Sequence, residues 1–310
     1  MWTAYSPFTT WRRIVTDFLK AKNDPSKLKT FINTTLGEAW DDTEGEKVDP
    51  ESLFARREHY QAEVPVDSCI LTAAVDTQDD RLEIEVKAWV NGEESFDISY
   101  ERLYGDLSRS EIWDLLHKRL TRQFTSVSGA IHDVKLTLID SGGHFTDEVY
   151  KFSKKYGIRK FIPIKGHSQS GKPVVAFPRK RNEKGVYLTM IGTDTAKEII
   201  TSRFRIMNPG EGYMHWPVSD EFDETYFQQL TNARRKIVYR KGRKQIEWDA
   251  GGRRNEPFDT AVYNLAAIRL LQQHFGINLS RYRKDGDPTE APATKKRKTG
   301  KVHKPAGGWL

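Results

Sequence analysis

Three aspartates stand where predicted elements meet turns, and their side chains could act together. Asp76 ends the apolar run 69–76, Asp140 ends the run 134–140, and Asp259 falls in the first turn of a predicted late helix. Short apolar runs bounded by turn residues are typical of buried strands. Carboxylates without a His or Cys cluster suit hard, oxygen-preferring cations such as magnesium or manganese. The three residues are therefore candidate metal ligands.

Each aspartate also has a simpler interpretation. Asp is common at the start of a turn, and acids in the first turn of a helix interact with its dipole. Asp259, however, shares a helix face with Val262 and Ala266, so an unpaired charge there would be costly and a cation would neutralise it. If the strands ending at Asp76 and Asp140 are adjacent and parallel, both side chains leave the sheet at the edge where ligands gather. Two ions about 4 Å apart can cleave a phosphodiester by activating water and stabilising the leaving oxygen.

The charge of the chain is concentrated locally. The net charge is +7 over 310 residues, but residues 281–310 carry nine Lys or Arg against three Asp or Glu, a balance of +6. The remaining body is therefore close to neutral, and its basic clusters matter more than its overall pI. Any one cluster is consistent with a solvated face, whereas several near carboxylates indicate a phosphate-binding surface. These clusters contain Arg179, Lys180, Arg181, Arg234, Arg235, Lys236, Arg240, Lys241, Arg243, Lys244, Arg253 and Arg254.

Several classes of protein are excluded or disfavoured. The single cysteine, Cys69, allows no disulfide framework and no cysteine metal site, which fits a reducing, cytoplasmic setting. No apolar run approaches membrane-spanning length, and the N-terminus has no secretory signal pattern. Gly166, Gly171 and Lys172 match the spacing of a phosphate loop. Pro173 follows them where a hydroxyl residue and a helix are needed, so we predict a hairpin loop and no ATP site.

The aspartates are positioned by a predicted α/β fold. The fold consists of a mixed sheet of three antiparallel strands followed by two parallel ones, with helices on its faces and an added basic hairpin. Asn91 and Gly92 predict the turn between the second and third strands. Ser108 and Glu111 predict a capping box that opens the first helix after the third strand. The predicted strands are 69–76, 81–90, 94–103, 134–140 and 159–165, and the hairpin pairs 236–240 with 244–249.

Three regions are predicted along the chain. Residues 1–62 carry helical patterns without a catalytic motif and are interpreted as an arm or linker. Residues 63–280 hold the predicted sheet and the three aspartates. Residues 281–310 are rich in Pro, Gly, Thr and Lys and are predicted to be a disordered basic tail.

Several stretches carry a resemblance to a known family, and the likeness covers about residues 2–275. The sequence resembles the C-terminal nuclease half of the large terminase subunit of lambda-like tailed phages. The stretches that carry it are 2–11, 31–38, 162–166, 171–173, 178–182, 185–189, 191–198 and 253–256.

The resemblance implies a ribonuclease H-like fold and a metal-dependent DNA endonuclease. Proteins of this family nick duplex DNA at packaging sites, leave cohesive ends, and join a small terminase subunit and the procapsid portal in the cytoplasm of the host cell. They carry an ATPase motor N-terminal to this region, and we expect residues 1–62 to be the linker from that missing half. No membrane is implied.

Individual residues have expected roles in such a nuclease. Asp76, Asp140 and Asp259 match the acidic positions of the family, so we expect Asp76 to bridge two Mg²⁺ or Mn²⁺ ions and the other two to hold one each. Lys165 is expected to contact the scissile phosphate, although a surface lysine is the simpler interpretation. His144 replaces an apolar residue of lambda-like chains and is predicted to be a surface loop residue. The expected contacts to the DNA backbone are Arg179, Lys180, Arg181, Lys241, Arg243, Arg253 and Arg254.

Two alternative functions remain open. The chain could be a DNA-gripping and docking module that is inactive without its ATPase half. It could instead be a different nuclease of the same fold, such as a junction resolvase.

Overall fold

The computed structural model describes residues 8–22, 24–37, 48–167, 169–240 and 243–284. The predicted turn at Lys241 and almost all of the predicted basic tail lie outside these residues. Within the described ranges, no helix is both long enough and apolar enough to span a membrane.

A mixed sheet forms the centre of the described chain. The strands are β1 (Ile70–Thr77), β2 (Arg81–Trp89), β3 (Ser95–Tyr104), β4 (Phe124–Thr125), β5 (Ile131–His132), β6 (Val134–Asp140), β7 (Phe161–Gly166), β8 (Val175–Ala176), β9 (Thr189–Ile191), β10 (Met214–His215), β11 (Arg234–Arg240) and β12 (Arg243–Asp249). The strand order in the mixed sheet is β10-β3-β2-β1-β6-β7-β9-β8. β1, β2 and β3 are antiparallel neighbours, whereas β1, β6, β7 and β9 run parallel to one another. This arrangement confirms the predicted α/β class, a mixed sheet with an antiparallel part and a parallel part.

Helices cover the sheet, and β11 and β12 form the predicted basic hairpin as a separate two-stranded sheet. A π-helical turn, Ile32–Leu36, follows the second helix, and its end at Gly37 adopts the left-handed conformation with a φ of 69°. The α-helices are α1 (Trp11–Ala21), α2 (Pro25–Phe31), α3 (Pro50–Phe54), α4 (Ser110–Leu120), α5 (Thr146–Tyr156), α6 (Thr193–Arg203), α7 (Glu224–Thr231) and α8 (Glu256–His274).

The alternating polar side chains of β2 are buried because helices cover that face of the sheet. Glu85 and Lys87 are at most 1% exposed, and Lys87 Nζ lies 2.5 Å from Asp97 Oδ1 of β3. Glu85 also accepts a hydrogen bond of 2.8 Å from the Tyr226 hydroxyl of α7. Buried charges are tolerated only when they are paired in this way.

α8 is buried along most of its length and packs on β1, β2 and β6. A polar contact fixes its position, because the Thr72 hydroxyl of β1 donates to Asn264 Oδ1 at 2.7 Å. Trp89 Nε1 in turn donates to the Thr72 hydroxyl at 2.8 Å. The middle of α8 is thus held in a fixed position on β1.

α1 and α2 pack on each other through Ile14, Ala21 and Phe31. Asp24, just before α2, is 5% exposed, and its carboxylate lies 3.3 Å from Arg269 Nη2 of α8. The described part of the arm is thereby attached to the main body, and the predicted boundary at residue 62 stays a prediction.

The predicted capping box does not form. α4 begins at Ser110, and its N-cap, Arg109, makes no capping bond through its side chain. The Ser108 hydroxyl donates instead to Asp106 Oδ1 at 2.6 Å, and the Ser108 N–H donates to the same oxygen at 3.0 Å. This local turn uses the serine that the box would have needed.

Candidate functional site

The predicted aspartates on the sheet lie at one edge of it, as the sequence indicated. β1 and β6 are parallel neighbours with Val75 opposite Ile139, so Asp76 and Asp140 follow at the same level. The Thr77 hydroxyl donates to the backbone oxygen of Asp140 at 2.9 Å and ties the two strand ends together. Because β1 and β6 enter the sheet in the same direction, both carboxylates emerge at its carboxyl edge.

The electrostatics of Asp76 place all three aspartates in one cluster. Asp76 is 4% exposed, and burial raises its pKa well above the usual value. The negative charges of Asp259 and Asp140 raise this pKa further, while a hydrogen bond of 2.5 Å from Gln78 Nε2 opposes the shift. The same three carboxylates, together with burial, raise the pKa of the Tyr263 hydroxyl on α8. Asp259 on α8 is thus close to the two strand ends.

Asp140 is held at the start of the loop that follows β6. Burial and the charge of Asp259 raise its pKa to about 6, although the backbone N–H groups of Gly142 and Ser141 lower it. The Gly142 N–H lies 3.1 Å from Asp140 Oδ1. The positive charge of Lys165, at the end of β7, also lowers this pKa, so Lys165 lies on the same side of the sheet.

Asp259 is held by two partners of its own. Lys197 Nζ of α6 lies 2.8 Å from Asp259 Oδ1, and the side chains of these two residues are 11% and 25% exposed. Asn255 Nδ2 donates to Asp259 Oδ2 at 2.8 Å, so this N-cap residue of α8 binds the aspartate and makes no capping bond through its side chain. The sequence reasoning did not identify Lys197, since a lysine in the middle of a helix usually faces solvent.

A fourth carboxylate lies beside the cluster and was also missed. Glu256 is 7% exposed, and its Oε1 lies 2.8 Å from Arg81 Nη2. Its Oε2 is buried and has no hydrogen-bond partner. The charge of Glu256 contributes to the raised pKa of Asp76. The only signal in the sequence was the position of Glu256 in the first turn of the same helix as Asp259.

The donor set fits a hard divalent cation in its chemistry. Its oxygens come from carboxylates, which are the ligands that Mg²⁺ and Mn²⁺ prefer. Because the negative charges in a buried cluster repel one another, a bound cation would stabilise them. In the described part of the chain, however, no group of three or more His, Cys, Asp or Glu side chains is arranged to hold a metal ion. Asp259 is directed to Lys197 and Asn255 instead.

The predicted DNA contacts fall in two places. Arg253 and Arg254 are exposed in the loop that leads into α8, on the side of the carboxylates. Arg179, Lys180 and Arg181 are exposed after β8, which runs antiparallel to β9, and therefore lie toward the opposite edge of the sheet.

The remaining predicted residues are exposed in a loop or lie outside the part of the chain that the structure describes. The side chain of Arg243 and all of Lys241 lie outside it. His144 is an exposed loop residue, as predicted, and its Nδ1 lies 2.8 Å from Asp79 Oδ1.

Comparison with known proteins identifies relatives of this chain. The chain matches terminase large subunit proteins of Escherichia phage lambda, at 45% identity over 285 residues, and of Enterobacteria phage P21, at 38% over 286 residues. Each match covers 90% of this chain and 44% of the relative, so the chain spans a little under half the length of these relatives. The large terminase nuclease from thermophilic phage G20c aligns with a TM-score of 0.38 and 14% identity, over 74% of this chain and 99% of that one. The model of the terminase large subunit gpA endonuclease domain matches residues 1–282, and the chain therefore belongs to that family.

Proposed function

We propose that this chain is a metal-dependent endonuclease that nicks duplex DNA at packaging sites. The observation that carries the proposal is the cluster of Asp76, Asp140 and Asp259, three carboxylates from separate elements whose charges act on one another at one edge of the sheet. Membership of the endonuclease family supports the reaction class. Perturbed carboxylates grouped in this way are typical of catalytic sites.

Two divalent ions, Mg²⁺ or Mn²⁺, are the proposed cofactors. Asp76 would bridge both, and Asp140 and Asp259 would each hold one. When bound, such ions activate water and stabilise the leaving oxygen of an in-line displacement. Buried Asp76 is well suited to the central position because β1 is an inner strand of the sheet and holds the Asp76 backbone in a fixed place.

The other residues bind and orient the DNA. Lys165 is exposed, its charge acts on Asp140, and it would contact the scissile phosphate. Arg253 and Arg254 would hold the backbone next to the site by charge. Gly142 donates its N–H to Asp140 and holds that carboxylate in place while DNA binds.

The partners of the longer family proteins extend this proposal. We propose that double-stranded DNA is the substrate, and that a small terminase subunit, a procapsid portal and an ATPase half act with this domain in the host cytoplasm. The matched relatives are more than twice as long as the aligned region, which leaves room for such functions elsewhere in them.

One observation favours a second candidate function, a DNA-gripping module that is inactive by itself. Asp259 is paired with Lys197, and the described residues include no three-ligand arrangement. In that case the carboxylates would need a rearrangement, driven by another part of the packaging machine, before they could act.

A nicking assay separates the two. Supercoiled plasmid is incubated with the wild-type chain in Mn²⁺ or Mg²⁺, with EDTA, with Asp76→Asn and with the exposed control Asp114→Asn. We expect the wild type and the control to nick, and Asp76→Asn to lose orders of magnitude in rate. Equal nicking by Asp76→Asn would refute the assignment of the site. No nicking by folded wild type would favour the inactive module.

A further inference from the structure

A basic and aromatic pocket lies at the edge of the sheet where β7 and β9 begin, opposite the edge that carries the carboxylates. It has a volume of about 320 Å³ and opens to solvent. Its lining includes Arg159, Arg179, Phe177, Tyr187, His274 and Phe275.

The position of the pocket follows from the strand directions. Arg159 and Tyr187 lie two residues before β7 and β9, whereas Lys165 lies at the other end of β7. His274 is the last residue of α8, and Asp259 is in its first turn. The two are fifteen positions apart, which corresponds to about 22 Å along an α-helix. The pocket is thus separate from the carboxylate cluster.

The aromatic side of the pocket offers flat apolar surface. The rings of Phe177 and Tyr187 stack with centroids 5.2 Å apart and planes inclined by 29°. Phe275 packs edge-on against Phe177 at 5.9 Å and remains 36% exposed. An exposed ring beside a stacked pair is a surface on which another planar group can lie.

The basic side of the pocket surrounds the same rings. The Arg181 guanidinium lies 5.6 Å from the centre of the Tyr187 ring. Hydrogen bonds from Arg181 and Arg159 hold the pKa of the Tyr187 hydroxyl below its usual value. No acidic side chain belongs to the lining that the described residues form. The complementary ligand is therefore both anionic and aromatic.

We propose that this pocket binds a single DNA strand, with one unstacked base against Phe275 and neighbouring phosphates on Arg159 and Arg179. Aromatic rings combined with a basic groove are the usual means of holding single-stranded nucleic acid. A cavity of about 320 Å³ is at the small end of ligand sites and suits one nucleotide. The choice of DNA among aromatic anions rests on the proposed nuclease function.

The test is fluorescence anisotropy with a labelled oligothymidylate, in EDTA so that no cleavage occurs. We expect Phe275→Leu and Arg179→Ala each to weaken binding by about tenfold, the effect of losing one stacked base or one charged contact. Phe18→Leu is the matched aromatic control because Phe18 is 43% exposed on α1. Arg109→Ala is the basic control, and both controls should stay within about twofold of wild type.

Three outcomes would overturn the inference. Pocket variants could bind the strand as tightly as wild type. Thymidine monophosphate could compete as well as the oligonucleotide, which would indicate a free-nucleotide site. Polyglutamate could displace the labelled strand as well as unlabelled oligothymidylate does, which would indicate an acidic protein partner. Plasmid nicking by wild type is measured in parallel: nicking with unaltered strand binding refutes this inference alone, and absent nicking with the expected loss of strand binding refutes the nuclease function alone.

Discussion

Removing the charge of Lys197 should weaken the metal-free fold and strengthen metal binding. The Lys197–Asp259 pair spans 2.8 Å, and its side chains are 11% and 25% exposed. Breaking an exposed pair costs about 0–1 kcal/mol, and removing one partner of a fully buried pair costs about 3–5 kcal/mol. The pair in this site lies between those limits. We therefore expect Lys197→Met, which keeps an unbranched apolar stem, to lower the free energy of unfolding in EDTA by about 1–3 kcal/mol.

The opposite effect is expected when Mn²⁺ is added. Lys197 neutralises part of the carboxylate cluster and competes with a cation for Asp259, so its removal leaves a more negative donor set. A change of about 1.4 kcal/mol corresponds to a tenfold change in affinity. We expect Lys197→Met to bind Mn²⁺ about tenfold more tightly than wild type.

The assay is thermal unfolding in EDTA and during titration with Mn²⁺, since a ligand of the native state stabilises it by an amount that grows with the logarithm of its affinity. Lys155→Met is a matched control because Lys155 Nζ also lies 2.8 Å from a carboxylate, that of Asp114, but both side chains are more than half exposed. The control should change neither stability nor Mn²⁺ binding appreciably. The reasoning fails if Lys197→Met binds Mn²⁺ no better than wild type while the control behaves as expected.

Three more predictions concern Asp140, Gly192 and Asp24. The pKa of Asp140 in the folded state, about 6, exceeds its usual value of 3.8. Its contribution to stability is therefore present below about pH 4 and is lost as the pH rises through 6. In urea unfolding with EDTA, Asp140→Asn should stabilise the fold by up to about 3 kcal/mol near pH 7.5 and by little near pH 4. Gly192→Ala should destabilise the start of α6 by about 2–4 kcal/mol, because a Cβ would lie 2.3 Å from the Pro173 carbonyl oxygen; a urea midpoint equal to wild type would contradict this. Asp24→Asn should release the α1–α2 arm from Arg269 and accelerate limited proteolysis near residue 24, whereas an unchanged rate would mean that apolar packing alone holds the arm.

The sheet and two members of the site could be predicted because their signals are local. An apolar run ending in Asp76, and another ending in Asp140, each identify a buried strand and its carboxyl edge. Their parallel pairing required only that the two strands be neighbours, and the register confirms it. Helical spacing placed Asp259 on a face that packs inward, and its charge does reach the other two carboxylates.

What could not be predicted depends on contacts between distant residues. Lys197 meets Asp259 across sixty-two positions, and nothing in the sequence around α6 distinguishes it from a solvated lysine. From the sequence, the basic run at Arg179 is an expected contact to the DNA backbone, because several basic clusters near carboxylates indicate a phosphate-binding surface. Its location depends on the pairing of β8, which lies antiparallel beside β9 and is separated from β7 by that strand, whereas the sequence predicts a hairpin directly after β7.

The buried polar groups beneath α8 explain why the site can tolerate its own repulsion. Asn264, on the buried face of α8, donates to the backbone oxygen of Glu85 at 3.2 Å and to its side chain at 3.1 Å, and accepts from Thr72 on β1. These bonds are directional, so sliding α8 along β1 would leave several buried polar groups without partners. The cost of that loss opposes the mutual repulsion of the aspartates at the end of the same helix. Hydrogen bonds remote from the site therefore help Lys197 and Asn255 to hold Asp259 in place. Burial is the main cause of the raised pKa of Asp76, and the charges of Asp259 and Asp140 raise it further.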